Sequence, residues 1–137
     1  MTAPISQHAA LIYTMVLLSA ADRDMKDAEM SIIGDILRHL PVFKGYDITS
    51  LPTTAAACAE ALDDDDDGLE HVLALIAAAL PAKLREAAYA LACDVAAADG
   101  TVTQEESRLL ELIRHRLDIE RLVAAAIERG ARARFAR

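Results

Sequence analysis

The stretch Ala96-Ala97-Ala98-Asp99-Gly100-Thr101-Val102-Thr103-Gln104-Glu105-Glu106 ends one apolar segment and opens another. The chain does the same 77 positions earlier, with Ala20-Ala21-Asp22-Arg23-Asp24-Met25-Lys26-Asp27-Ala28-Glu29. Asp22 matches Asp99, and Glu29 matches Glu106. The match extends outward: Val16 and Leu18 fall on Cys93 and Val95, while Ile32, Ile33 and Ile36 fall on Leu109, Leu110 and Ile113. Each copy reads as apolar helix, acidic turn, apolar helix. A repeated unit too small to bury its own apolar face does so against its twin.

The 137 residues suffice for one domain with a real core. A single helical domain over 1–137 is expected, its repeat halves at about 5–40 and about 82–117. Apolar residues make up 54% of the chain and aromatics only 4%, so Leu, Ile, Val and Ala must fill the space between closely approaching helices. No convincing alternating run of strand formers exists. The fold class is all-α: a compact bundle of about seven helices with an internal pseudo-two-fold repeat.

Periodicity and breakers place helices from about Ile5 or Gln7 to 20, at about 27–40, from Pro52 or Thr53 to 62, and at about 69–80, 82–98, 104–117 and from 119 onward. The first should bury one stripe, Ala9, Ile12, Val16 and Ser19 or Ala20, and the alanine-rich fifth should be the central helix. Pro41 and Pro81 stop the helices before them. Val42 to Ser50 reads as the longest irregular connection. The run Asp63-Asp64-Asp65-Asp66-Asp67 has the look of a calcium site, but adjacent like charges repel, and it reads as a solvated loop whose last aspartates cap the next helix. Gly100 suits a left-handed helix terminus. Residues 130–137 are expected to fray.

A formal charge of −8 argues against nucleic acid and anionic lipid as partners, since both need a positive field. The charge is uneven: residues 108–137 carry eight arginines and a net +4, leaving −12 for the rest. Such a tail suits an acidic partner or a second copy of the chain, or it complements helix C-termini. Cys58 and Cys93 sit among alanines and leucines, which supports reduced core residues over a disulfide or zinc cluster. No apolar run approaches the roughly 20 residues that span a bilayer, and no Lys or Arg precedes the apolar stretch Ala9 to Ala21 as in a secretion signal. A cytoplasmic protein without membrane insertion is the expectation.

Two readings of the acidic turns follow. In the second copy, Thr103 and Glu106 have capping-box spacing, which needs no metal. In the first, Met25 and Met30 are spaced as a hydrophobic staple around Lys26, a poor N-cap, so local structure accounts for Glu29 less well. The other reading starts from the EF-hand calcium loop, whose second half is reproduced by Asp99, Gly100, Val102 and Glu106. Val95 and Ala97 stand where its first ligands would be, so one turn alone has too few oxygens. Two turns together, with Asp22, Asp24, Glu29, Asp99 and Glu106 as ligands and Asp94 nearby, would suit Ca²⁺ or Mg²⁺ better than zinc.

The phrase from Ala96 to Glu106, preceded by an alanine-rich helix and repeated in weaker form near the N-terminus, resembles the tellurite-resistance TerB-like family. It is also similar to the N-terminal domain of membrane-anchored DnaJ-like co-chaperones. The resemblance spans Ala9 to about Val123. It implies a bundle of about seven helices with approximate two-fold symmetry, acidic motifs that bind a divalent cation, and a role in bacterial stress response or tellurite resistance through protein partners. The motif positions are Asp22, Glu29, Asp99, Gly100, Glu105 and Glu106. The first copy departs from the pattern with Arg23 where the motif has glycine and Ala28 opposite Glu105.

Catalysis is not expected. His8, His39, His71 and His115 are scattered, and none lies three positions after a glutamate, as carboxylate di-metal bundles require. There is no nucleotide-binding glycine loop and no nucleophile elbow. The functional expectation is a non-enzymatic cation-binding module of the stress-response type. The alternative is a protein-interaction adaptor whose acidic turns only cap helices, its partner another protein or, as a homodimer, a second copy of the chain.

Overall fold

Ten consecutive residues, Ala10 to Ser19, are buried in α1 (Gln7–Ser19), and a helix that is apolar all round must lie inside. The computed structural model describes residues 3–20, 27–63, 66–98 and 100–136. Among these the elements are α1, α2 (Asp27–Arg38), α3 (Leu51–Asp63), α4 (Gly68–Ala79), α5 (Ala82–Ala98), α6 (Gln104–Arg116) and α7 (Arg121–Arg134), with no strand. The chain is all-α, as expected.

α1 packs against α2, α3, α4, α5 and α6, so it, and not α5, is the central helix. The one-stripe reading failed because Leu11, Met15, Leu17 and Leu18 lie off the stripe and are buried as well. Burying side chains of that size stabilises the fold by about 1.5–3 kcal/mol each. The buried Thr14 hydroxyl is satisfied within the helix, donating to the Ala10 carbonyl at 2.8 Å. α5 contributes a narrower face, Ala88, Tyr89, Leu91, Ala92, Cys93 and Ala96, on which α1 and α7 both lie. Its alanines permit that close approach.

The connection from α2 to α3 is more ordered than expected. Two 3-10 turns, Pro41–Phe43 and Ile48–Ser50, occupy it, and three rings hold it to the start of α1. His8 stacks on Phe43 at a centroid separation of 5.0 Å and meets Tyr46 edge-on at 5.2 Å, while its Nε2 lies 2.7 Å from the Val42 carbonyl. Pro41 opens the first of these turns, where the missing N–H costs nothing.

Asp67 occupies the N-cap position of α4, though its side chain makes no cap hydrogen bond. Asp64 and Asp65 lie outside the described residues. At the other end of α4, Arg85 donates to the Ala77 and Leu80 carbonyls at 2.9 and 3.2 Å, satisfying two acceptors the helix leaves open. The C-terminal end does not fray at Gly130: α7 continues to Arg134, Ala131 is buried, and Arg134 pairs with Asp94 of α5 at 2.5 Å. Among the described residues, no helix is long and apolar enough to cross a membrane.

Candidate functional site

The second acidic turn is built from backbone chemistry. α5 ends at Ala98, and Gly100 takes the left-handed conformation (φ 89°) with its N–H on the Ala97 carbonyl at 3.0 Å. Thr103 then caps α6. The Glu106 N–H donates to Thr103 Oγ1 at 3.1 Å, and the Thr103 N–H donates to Glu106 Oε1 at 2.9 Å, which completes the capping box. Glu106 is only 4% exposed; Glu105 faces solvent.

The first turn is described only at its edges. Asp22 and Asp24 lie outside the described residues, as do Met25 and Lys26 of the expected staple, and so does Asp99 of the second turn. Glu29 stands half-buried in the first turn of α2, where a carboxylate complements the helix dipole. Among the described residues, no three His, Cys, Asp or Glu side chains gather closely enough to hold a metal ion. Asp94, a neighbour of the expected cluster, is engaged by Arg134. One polar atom stands out: Ser19 Oγ, at the last residue of α1, is buried with no hydrogen-bond partner among the described residues.

Two concavities flank the α5–α7 contact. One, of about 430 Å³, lies between α5, α6 and α7 and is lined by Tyr89, Cys93, Val102, Leu110 and Glu128 among others. There the Tyr89 hydroxyl donates to Glu128 Oε2 at 2.5 Å. The other is a larger, mostly apolar groove of about 890 Å³ between α2, α5 and the end of α7. Ile32, Ile36 and Leu40 line it from one side and Ala90 and Leu91 from α5; Asp35, Asp94 and Arg134 line it too, with Asp35 paired to Arg38 at 2.8 Å and Asp94 to Arg134. The spacing of Ile32 and Ile36, four residues apart, was the signal in the sequence: a second apolar stripe on α2 beside the buried one at Ile33 and Leu37; Leu40 joins it from the extended backbone after the helix.

Ile32 lies shortly after the first acidic turn and Ala98 immediately before the second, and both border this groove.

Neither thiol is activated. Burial pushes Cys58 and Cys93 up to about 12, so both stay protonated near neutral pH and are poor nucleophiles and metal ligands. The histidines also have structural surroundings. His8 belongs to the aromatic cluster, the His39 ring lies 2.7 Å from the Asp35 carbonyl, and the His115 ring lies 3.1 Å from the Arg114 guanidinium.

The family model described as tellurite resistance protein TerB matches residues 8–129, nearly the whole chain. No curated protein and no solved structure matches it significantly.

Proposed function

The chain belongs to the tellurite-resistance TerB family, and from that premise we propose that this tellurite-resistance-like module acts in bacterial stress response by binding a protein partner, without chemistry of its own. The observation that carries this reading is the open apolar groove between α2 and α5. Half-buried Ile32, Ile36 and Leu40 are larger than helix solubility needs, and an apolar concavity between helices is a usual place for a ligand or a partner helix. The protonated, buried thiols support a non-catalytic role.

A second reading is that a divalent cation, Ca²⁺ or Mg²⁺, binds at the two acidic turns. Ser19 Oγ, buried without a partner among the described residues, and the buried Glu106 carboxylate of the second turn favour it. Hard oxygen donors of this kind fit such ions. Asp22, Asp24, Glu29, Asp99 and Glu106 would hold the cation, which would relieve their mutual repulsion and fix the helices that meet there.

Survival of tellurite-challenged bacteria expressing the chain separates the two. Ile36→Glu should abolish protection under the partner reading and Asp99→Ala should not; the opposite pattern supports the cation. Full protection by both variants would remove both readings.

A further inference from the structure

Two helices of this chain present outer faces of the same pattern and opposite charge. On α3 the face is Ala56, Ala57, Glu60 and Asp63; on α7 it is Ala125, Ala126, Arg129 and Arg132. The spacing is identical, and in an α-helix it gathers the four side chains on one face. All eight are exposed. Each helix buries its other side, Ala55 and Cys58 in α3 and Ala124 and Ala131 in α7, with α3 packed on α1 and α4 and α7 packed on α5. Both faces therefore look outward from the bundle.

The charges on these faces have no counterpart within the chain. Among the described residues, Glu60, Asp63, Arg129 and Arg132 enter no ion pair and no side-chain hydrogen bond. Arg121 at the start of α7 and Asp66 just past the end of α3 are exposed and unpaired in the same way, and they extend the two fields. Residues 121–137 carry five arginines and one glutamate, and that glutamate, Glu128, is turned to Tyr89. The basic excess of the C-terminal end thus lies on α7, while the remainder of the chain is acidic.

We propose that the outer face of α7 docks on the outer face of α3 in a second copy of this chain. The complementary acidic face is present on the chain itself, and this selects a second copy over any other acidic partner. Alanine on both sides lets the two helix axes come within the usual packing distance of about 8–10 Å, and the contact covers Leu122, which is 76% exposed beside Ala125 and Ala126. Because the two surfaces differ, the contact is heterologous: a pair still has one acidic and one basic face open, and assembly continues head to tail until a ring closes. With so few large side chains the contact is weak and depends on charge, so salt dissolves it. It does not use the groove between α2 and α5.

The test is sedimentation equilibrium of the full chain at rising concentration, in about 20 mM and in about 1 M salt, the latter screening charges beyond roughly 3 Å. The average mass should rise above that of one chain at low salt and return to one chain at high salt. Glu60→Arg with Asp63→Arg, and separately Arg129→Glu with Arg132→Glu, should each hold the protein at one chain; the four side chains are exposed, and circular dichroism checks that both variants are folded. The chain carrying all four reversals has the wild-type net charge and matched faces again, so it should regain self-association. A wild type that stays at one chain at every concentration in low salt overturns the proposal, as does association that persists through both double reversals, or a folded fourfold variant that fails to associate. Association lost instead in Ile36→Glu would place the contact in the groove and overturn it too.

Discussion

The Tyr89 hydroxyl donates to Glu128 Oε2 at 2.5 Å and so ties α5 to α7 from within a largely apolar contact. Burial first, and then the bond to Glu128, holds the phenol above its ordinary ionisation range. It therefore remains a donor at any pH the protein meets. Because α7 fully buries only Ala124 and Ala131, with Val123 and Ile127 half-buried beside them, this bond and the Arg134–Asp94 pair reinforce a helix whose apolar anchor is small.

Tyr89→Phe removes that donor and leaves a half-buried carboxylate without it. We expect a loss of about 1–2 kcal/mol in urea unfolding. Arg134→Ala, which breaks the more exposed pair with Asp94, should cost less than about 1 kcal/mol. Equal costs would mean that the two links between α5 and α7 are equivalent.

The capping box gives a second prediction. Thr103→Ala should destabilise the chain by about 1 kcal/mol and leave any Ca²⁺ or Mg²⁺ titration heat unchanged, since the hydroxyl serves only the helix end. Glu106→Ala should cost at least as much and, under the cation reading, should also abolish that heat. Calorimetry on chelator-treated protein reads both effects.

Two glycines inside or at the start of helices should respond in opposite directions. A Cβ on Gly34 would meet Leu51 Cδ2 at 3.8 Å, an ordinary contact. Gly34→Ala in the interior of α2 should therefore stabilise the fold by about 0.5–1 kcal/mol. At Gly68 a Cβ would fall 2.0 Å from the Leu62 carbonyl oxygen, and backbone must move to admit it. Gly68→Ala should cost about 1–3 kcal/mol, measured as a lowered urea midpoint.

What was legible in the sequence follows the range of the interactions. Thr103, Glu106 and Gly100 act on residues within three or four positions of themselves, so their spacing alone specified the turn. Helix positions were legible for the same reason. The central place of α1 was not, because counting one stripe ignored how many other apolar residues, Leu11, Met15 and Leu18 among them, the helix carries. Alanine content made α5 look central, yet alanine reports close approach and not depth. The groove was the least legible feature. It is a space between Ile36 and Ala90, which are far apart in the chain, and only the packing of α2 against α5 creates it. Arginine 134 was read as part of a fraying tail because its partner, Asp94, lies on a different helix.

The buried thiols give a pH dependence whose sign is fixed. Cys58 and Cys93 are raised from 9.0 to about 12, by burial in both cases, with Glu128 adding to the effect at Cys93. A raised folded value means that unfolding releases a group that ionises more easily. The stabilisation is therefore fully present below about 9 and is lost as pH rises from there toward 12, by up to about 1.4 kcal/mol per pH unit for each thiol. Tyr13 and Tyr89, also raised by burial, add to the same decline above the ordinary tyrosine range. Urea unfolding at pH 8 and pH 10.5 should show a marked drop in the wild type and a smaller one in the Cys58→Ala, Cys93→Ala double variant. If the two chains lose stability in parallel, the thiols are more accessible than their burial indicates, and a thiol reagent should then label the folded protein as fast as the unfolded one.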